Sequence, residues 1–350
     1  MKLLEDFDTL FLKKLNIYLL KKKEAYSLVH SDGSKLIDIL SEFMNRKSKH
    51  IRPAIFYFAY QNWKSTKVED SEIWKVALSI EFVHALALIH DDIIDKSSLR
   101  RGKATIHELY RTETAILLGD LALTIADELY IDALTHLEMP IKQKDSLNKL
   151  YNSFKQETLI GEYLDVQKND DIFTVMKLKT AQYTFEKPAG MGMVLAQTSQ
   201  KEIDMWSRIL LDLGITFQIY DDFVGSFGQE KSIGKPADSD IKEGKNTVFT
   251  TLFLERVNES DKKQFLSFFG SQEASKKDLE WFQTKSDEYG ITISVCHDIQ
   301  NRTKRIKTQI LDIKDVGTDF SVLIDTILYK ITDFRFLSSR TIDNQLPSSL

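Results

Sequence analysis

Three aspartates, Asp91, Asp92 and Asp95, close the apolar run EFVHALALIHDDIID. On a helix Asp91 and Asp95 share a face about one turn (~5.4 Å) apart, and Asp92 lies about 100° round toward the same side. Three such carboxylates repel one another. At about 4 Å and an effective dielectric of about 20, each pair costs on the order of 4 kcal/mol. No Lys or Arg stands one turn upstream, where Ala87 and Leu88 fall. A hard divalent cation would relieve the repulsion, and magnesium takes carboxylate oxygens and completes its shell with water and phosphate. Alone, the motif also fits a solvated acidic turn at a helix end. The residues that follow, KSSLRRGKATIH, add Arg100, Arg101 and Lys103. Acid followed by clustered guanidinium suits a polyanion held between metal and arginine.

A second acidic pair, Asp221 and Asp222, ends another apolar run, LGITFQIYDDF. Gln218 is three residues before Asp221 and shares its face. The stretch GSFGQEKSIGKPADSDIKEGKNT then holds Gly225, Gly228, Gly234 and Gly244 with Lys231, Lys235, Lys242 and Lys245. Such a segment could close over phosphate and exclude water. It also fits an ordinary exposed loop.

These residues need rigid elements to hold them. The chain has 350 residues, 42% hydrophobic, with only five prolines and 14 glycines. Few breakers and long 3.6-residue periodicity argue for an all-α protein. Segments 71–95, 112–136, 144–167, 171–197 and 201–223 each read as a helix long enough to cross a core. Gly33 with Ser34, Pro140, and 225–247 read as loops. Leu3, Phe7, Leu10, Phe11 and Leu15 recur at helical spacing and predict a terminal packing helix, with an interfacial membrane helix as the alternative. With no repeat and no low-complexity linker, one all-helical domain over 1–350 is the economical reading, its polar tail from about 338 frayed.

Net charge is −5, which gives no support for a nucleic-acid partner. Acidic residues Glu5, Asp6 and Asp8 argue against a targeting peptide. No stretch reaches the roughly 18 uncharged apolar residues of a membrane span; AILLGDLALTIADELY comes nearest and is broken by Asp120 and Asp127. Cys296 is the only cysteine, so no internal disulfide can form, and a reducing, cytoplasmic setting fits.

The chain resembles the trans-isoprenyl diphosphate synthases, the polyprenyl synthetase family. The matching blocks are KHIRP at 49–53, 81–107, LLGDLAL at 117–123, GEYLDV at 161–166, KTAQYTF at 179–185, and 217–247. They run in family order over about 200 residues. The resemblance implies a single-domain bundle of long helices around a central cavity, with the two aspartate-bearing helices facing each other, in a homodimer. It implies ionisation of an allylic diphosphate (dimethylallyl, geranyl or farnesyl), capture of the cation by isopentenyl diphosphate, and loss of a proton. It also implies magnesium, three ions per site, with manganese as a substitute.

By position, the resemblance implies that Asp91, Asp95 and Asp221 are metal ligands, with Asp92 and Asp222 completing the catalytic motifs. Arg100, Lys179 and Lys235, with Thr180 and Gln218 beside them, match residues on the allylic diphosphate. Lys49, Arg52, His84 and Arg101 match the isopentenyl diphosphate pocket. Lys47 and Ser48 stand where the family has a glycine pair, His50 where a second basic residue is common, and Gly225 where the second motif often has Asp. His90, beside Asp91, and His107 read as structural; Met191 and Met193 read as core at a helix kink.

Product length should follow from Val83, Leu86 and Ala87, one or two turns before Asp91. Aliphatic Leu86 and Ala87, in place of the aromatic that stops family members at fifteen carbons, imply geranylgeranyl diphosphate. Phe82 is a candidate stop, and farnesyl or longer products are alternatives. A class I terpene cyclase would not need Lys49, Arg52, His84 and Arg101. A non-catalytic regulatory subunit would be expected to lose motif residues.

Overall fold

The computed structural model describes residues 2–64, 68–227, 239–313 and 316–337. In chain order it runs α1 (Lys2–Val29), α2 (Gly33–Met44), α3 (Ile51–Trp63), α4 (Asp70–Ile94), the strands β1 (Leu99–Arg100) and β2 (Lys103–Ala104), α5 (Ile106–Tyr110) and α6 (Thr112–His136). Then follow α7 (Ile141–Val166), α8 (Ile172–Met176), a π-helical segment Lys177–Glu186, α9 (Lys187–Leu195) and α10 (Gln200–Phe227). The chain continues through α11 (Ser239–Glu243), α12 (Val248–Arg256), α13 (Glu259–Phe268), α14 (Lys276–Glu288), α15 (Ile291–Leu311) and α16 (Thr318–Ile331), and closes with a 3₁₀ turn, Arg335–Leu337. The expected helices are all present. Gly33 and Ser34 open α2, and α10 runs two residues past Gly225, so these glycines start or lie within helices instead of loops. The tail from 338 lies outside the described residues.

Two compact units emerge. The first is Met1–Tyr151, Pro188–Ile203 and Gly317–Leu323; the second is Asn152–Lys187, Asp204–Val316 and Ile324–Leu350.

In the first unit α1 buries Phe7, Phe11, Leu15 and Leu19 on one face, while Leu10 is exposed. This is the terminal packing helix its spacing predicts, shifted by one residue at position 10. α4 is central: most residues from Ile73 to Ile89 are buried, with Lys75, His84, Ala87 and Leu88 half-buried. By length and composition α4 is the one described helix apolar enough to cross a membrane, in place of the 115–130 stretch, and 78% of that window is buried inside the protein. α4 packs on α6, and the approach is close because Gly119 has no side chain. A Cβ there would lie 2.3 Å from Nε2 of His90. Gly192 likewise lets α9 reach α3, since a Cβ would lie 2.4 Å from the Phe56 carbonyl oxygen. Met191 and Met193 are buried in this packing, as expected.

A two-residue antiparallel hairpin follows α4, with Leu99 opposite Ala104 and Arg100 opposite Lys103. Short strands carry little periodicity, and the sequence showed none here. Arg101 and Gly102 reverse the chain at positive φ, 55° and 74°. Arg46 of the segment after α2 anchors the hairpin: its Nη1 donates to the Ala104 carbonyl at 2.9 Å while Nη2 pairs with Glu42.

In the second unit Phe249, Phe253, Phe265 and Phe282 form an aromatic core, with ring centroids 4.8 to 5.5 Å apart along its contacts. α12 starts at a capping box in which Thr247 and Thr250 exchange hydrogen bonds. The helical run over 171–197 is interrupted by ten π-helical residues. At its end the Lys187 N–H donates to the Gln182 carbonyl, five residues back, and Pro188 has no N–H to restore the α pattern.

Candidate active site

The three aspartates of the first cluster sit at the C-terminal end of α4, with Asp95 as its cap: the Asp95 N–H donates to the Asp91 carbonyl at 2.8 Å. Their repulsion is relieved from within the chain. Arg100, returned toward α4 by the hairpin, donates from Nη2 to Asp91 at 2.9 Å and from Nε to Asp92 at 2.7 Å. Asp92 is 1% exposed and Arg100 11%, so this is a buried ion pair. Burial works against the guanidinium's charge, but Asp91, Asp92 and Asp95 outweigh it and raise its pKa. A countercharge one turn upstream on the helix is therefore not needed; it comes from eight and nine residues downstream. Asp92 serves as the buried anchor of Arg100, and Asp91 and Asp95 remain partly exposed.

Arg52, His84 and Arg101 gather nearby in the same unit. Arg52 Nη1 donates to Nε2 of His84 at 3.0 Å. Burial, then the charges of Arg52, Arg101 and Arg100, holds the His84 pKa well below its ordinary value, so the ring is neutral and accepts. Burial also lowers the pKa of Arg101, opposed by Glu81 and reinforced by Arg100 and Arg52. Concentrated positive charge that is costly to bury is what an anionic ligand would stabilise. Lys49 stands exposed just before α3.

The second unit holds the other cluster. Gln218 joins it: the Thr180 hydroxyl donates to its side-chain oxygen, and its Nε2 donates to Asp222 at 2.6 Å. Asp221, at the exposed edge of α10, is the outermost member. Lys179 lies on the π-helical segment, where its ammonium reaches Asp165 at 2.6 Å and Glu162 at 2.9 Å. Two glycines let neighbouring helices press on that segment. A Cβ on Gly161 of α7 would meet the Lys179 backbone nitrogen at 2.5 Å, and one on Gly214 of α10 would meet the Ala181 Cα at 2.4 Å. Lys235 and most of the Gly- and Lys-rich stretch lie outside the described residues.

Some partners were not read from the sequence. Glu162 and Asp165 fall in the GEYLDV block at a three-residue helical spacing, which could have marked them as a pair facing one cation. Glu81, an acid inside an apolar run, is buried and needs an explanation that its sequence neighbours do not supply. His90 donates from Nε2 to the Ile116 carbonyl at 3.2 Å.

Val83 and Leu86 are buried and Ala87 half-buried on α4. Phe82 is different. Its ring packs edge-on against Tyr18 of α1, centroids 5.8 Å apart. Phe82 is thereby part of the α1–α4 packing.

Among the described residues no three His, Cys, Asp or Glu side chains already converge as a metal cage. The donors nonetheless fit a hard cation: Asp91 and Asp95 offer carboxylate oxygens from a single helical turn, and Arg100 now supplies the countercharge to Asp91.

The fold is helical but for one short hairpin, and each of the two aspartate clusters is tied to basic or amide side chains. Residues 34–285 match the family model described as Polyprenyl synthetase. The chain belongs to that family, and its class is that of the trans-prenyltransferases. It is 30% identical over 263 residues to the geranylgeranyl diphosphate synthase of Sulfolobus acidocaldarius, covering 72% of this chain and 77% of that one. It is 35% identical over 213 residues to the geranylgeranyl diphosphate synthase of Saccharolobus solfataricus, covering 59% and 64%. A crystal structure of geranylgeranyl pyrophosphate synthase from Corynebacterium glutamicum, complexed with isoprenyl diphosphate and magnesium, superposes with a TM-score of 0.85 at 26% identity, covering 94% of this chain and 99% of that one.

Proposed function

We propose that the chain condenses isopentenyl diphosphate with an allylic diphosphate (dimethylallyl, geranyl or farnesyl) to give a trans-prenyl diphosphate, geranylgeranyl diphosphate foremost. The observation that carries this reading is the buried Arg100 bound to Asp91 and Asp92, a metal-type acidic motif with its phosphate-type arginine already docked.

The chemistry asks little of a nucleophile. The allylic C–O bond breaks, diphosphate leaves with the electron pair, and the isopentenyl double bond attacks the allylic cation. A proton then departs, and the diphosphate just released is placed to take it. Arg100, Lys179 and Lys235 hold negative charge where it develops on the leaving group. Thr180 and Gln218 orient that group and fix Asp222. Lys49, Arg52, His84 and Arg101 bind the isopentenyl diphosphate, with neutral His84 keeping Arg52 in place. Asp91, Asp95 and Asp221 would hold magnesium, three ions in all with manganese as a substitute, supplying Lewis-acid neutralisation of the departing diphosphate.

Val83, Leu86 and Ala87 line the path of the growing tail, and their aliphatic character supports a product longer than farnesyl. The whole chain acts as one catalytic domain. A homodimer is supported by the exposed apolar side chains of Leu109, Tyr110, Ile116, Leu117 and Ile131 on α5 and α6. The buried, unbridged Cys296 supports a reducing, cytoplasmic setting.

The test is incubation of the purified protein with isopentenyl diphosphate, each allylic primer and magnesium, followed by chain-length analysis. Twenty-carbon prenyl diphosphate is expected. A cyclised hydrocarbon would indicate a terpene cyclase, and no product a regulatory subunit; either result contradicts the reading.

A further inference from the structure

Three ionisable groups, Asp8, His50 and Glu81, meet in the first unit beyond the residues given a binding role above. His50 precedes α3 and accepts its first helical bond, from the Ala54 N–H at 3.0 Å. Its backbone is left-handed, φ 40° and ψ 47°, a conformation unfavourable for a non-glycine residue. Something must hold it there. The ring is buried between two carboxylates: Nδ1 is hydrogen-bonded to Asp8 of α1, and Nε2 lies 3.7 Å from Glu81 of α4. Phe11 of α1 packs against it at a tilt of 34°, centroids 4.7 Å apart. Glu81 is 3% exposed, and it is also the charge that most favours Arg101. Lys49 and Arg52, the basic residues on either side of this turn, take their direction from it.

We propose that His50 is a positioning residue of the isopentenyl diphosphate half-site: as an imidazolium between Asp8 and Glu81 it locks the Lys49–Arg52 turn and offsets Glu81, leaving Arg101 available to the substrate. This rests on the reading of the site given above.

The groups that face the ring are Asp8 from α1, Glu81 and neutral His84 from α4 and Arg101 from the hairpin turn, with Arg52 of its own helix beyond His84. Burial opposes protonation of His50 and Arg101 opposes it further, but Glu81 and Asp8 together prevail and raise its pKa. The sign follows. The charged clamp is complete below the ordinary histidine value of about 6.5 and is lost as pH rises through the raised value. Above about pH 8 the ionisation of the substrate diphosphate is already complete, so a change there belongs to the protein.

The experiment is calorimetric titration of isopentenyl diphosphate, and separately of geranyl diphosphate, into wild type, His50→Gln and Asp8→Asn from about pH 6 to about pH 9.5. At about pH 6 His50→Gln should bind isopentenyl diphosphate about tenfold more weakly than wild type, with no pH dependence above about pH 8, and geranyl diphosphate within twofold of wild type. Wild-type affinity for isopentenyl diphosphate should fall toward the variant's value as pH rises. Asp8→Asn keeps the buried ring and should move that transition to lower pH, which serves if His50→Gln does not fold. Equal binding by His50→Gln and wild type, equal loss for both ligands, or an Asp8→Asn transition that does not move would overturn the proposal alone. A wild type that binds isopentenyl diphosphate at no pH would overturn the functional reading and the proposal with it.

Discussion

The two acidic clusters meet the same electrostatic problem in different ways. At the end of α4 the aspartates are neutralised by a buried arginine on a tight hairpin, with two directed hydrogen bonds and almost no solvent. At the end of α10 the aspartates are more exposed. Asp222 is held by an amide, and the lysine of that unit is occupied by Glu162 and Asp165. The first cluster is preorganised around a full charge. The second is organised by hydrogen bonds from neutral side chains, and its lysine is held between two carboxylates. A fixed fork at one place and an exchangeable point charge at the other is what the separate chemistry of arginine and lysine favours.

That contrast sets the order of expected effects. Arg100→Lys keeps the charge but loses the fork. Breaking a buried pair costs on the order of 3–5 kcal/mol, so kcat/KM for the allylic substrate should fall about 10²- to 10³-fold. Steady-state kinetics checks this, and a change under threefold would mean the pair is not preorganising anything. Gln218→Leu removes the amide between Thr180 and Asp222. A hydrogen bond to a charged group is worth about 1.5–3 kcal/mol, so kcat should fall about 10- to 100-fold. If Gln218→Leu were the more damaging of the two, the ranking of the clusters would be reversed. Leu86→Phe touches neither cluster. It should leave the rate within about threefold, a single apolar swap, and shift the product to fifteen carbons on chromatography. An unchanged product would remove Leu86 from the tail's path.

Much of this was legible in the sequence. The helices carrying Asp91, Gly119, Gly161 and Asp221 are long, and their 3.6-residue periodicity over 20 or more positions leaves few alternatives. Local order within ten residues was less so. The π-helical stretch over Lys177–Glu186 differs too little in period to be told from an α-helix, although Pro188 marks where it ends. The hairpin that turns Arg100 back onto Asp91 consists of two two-residue strands, too short for alternation to register. The partner of Asp91 therefore looked like a metal alone, because a neighbour reached through a reversal is invisible to helical spacing. Distance along the chain hid the rest. Asp8 and His50 are 42 residues apart, and Lys179 and Asp165 are 14 apart on separate elements.

The central claim is that the Asp91 cluster drives ionisation of an allylic diphosphate with a bound cation. Asp91→Asn tests it most directly. The change preserves size and a hydrogen bond from Arg100 while removing the charge. Turnover with isopentenyl diphosphate, geranyl diphosphate and saturating magnesium is expected to drop about 10³-fold or more, the loss of several kcal/mol of charge stabilisation in the transition state. Full turnover by the asparagine enzyme would contradict the account.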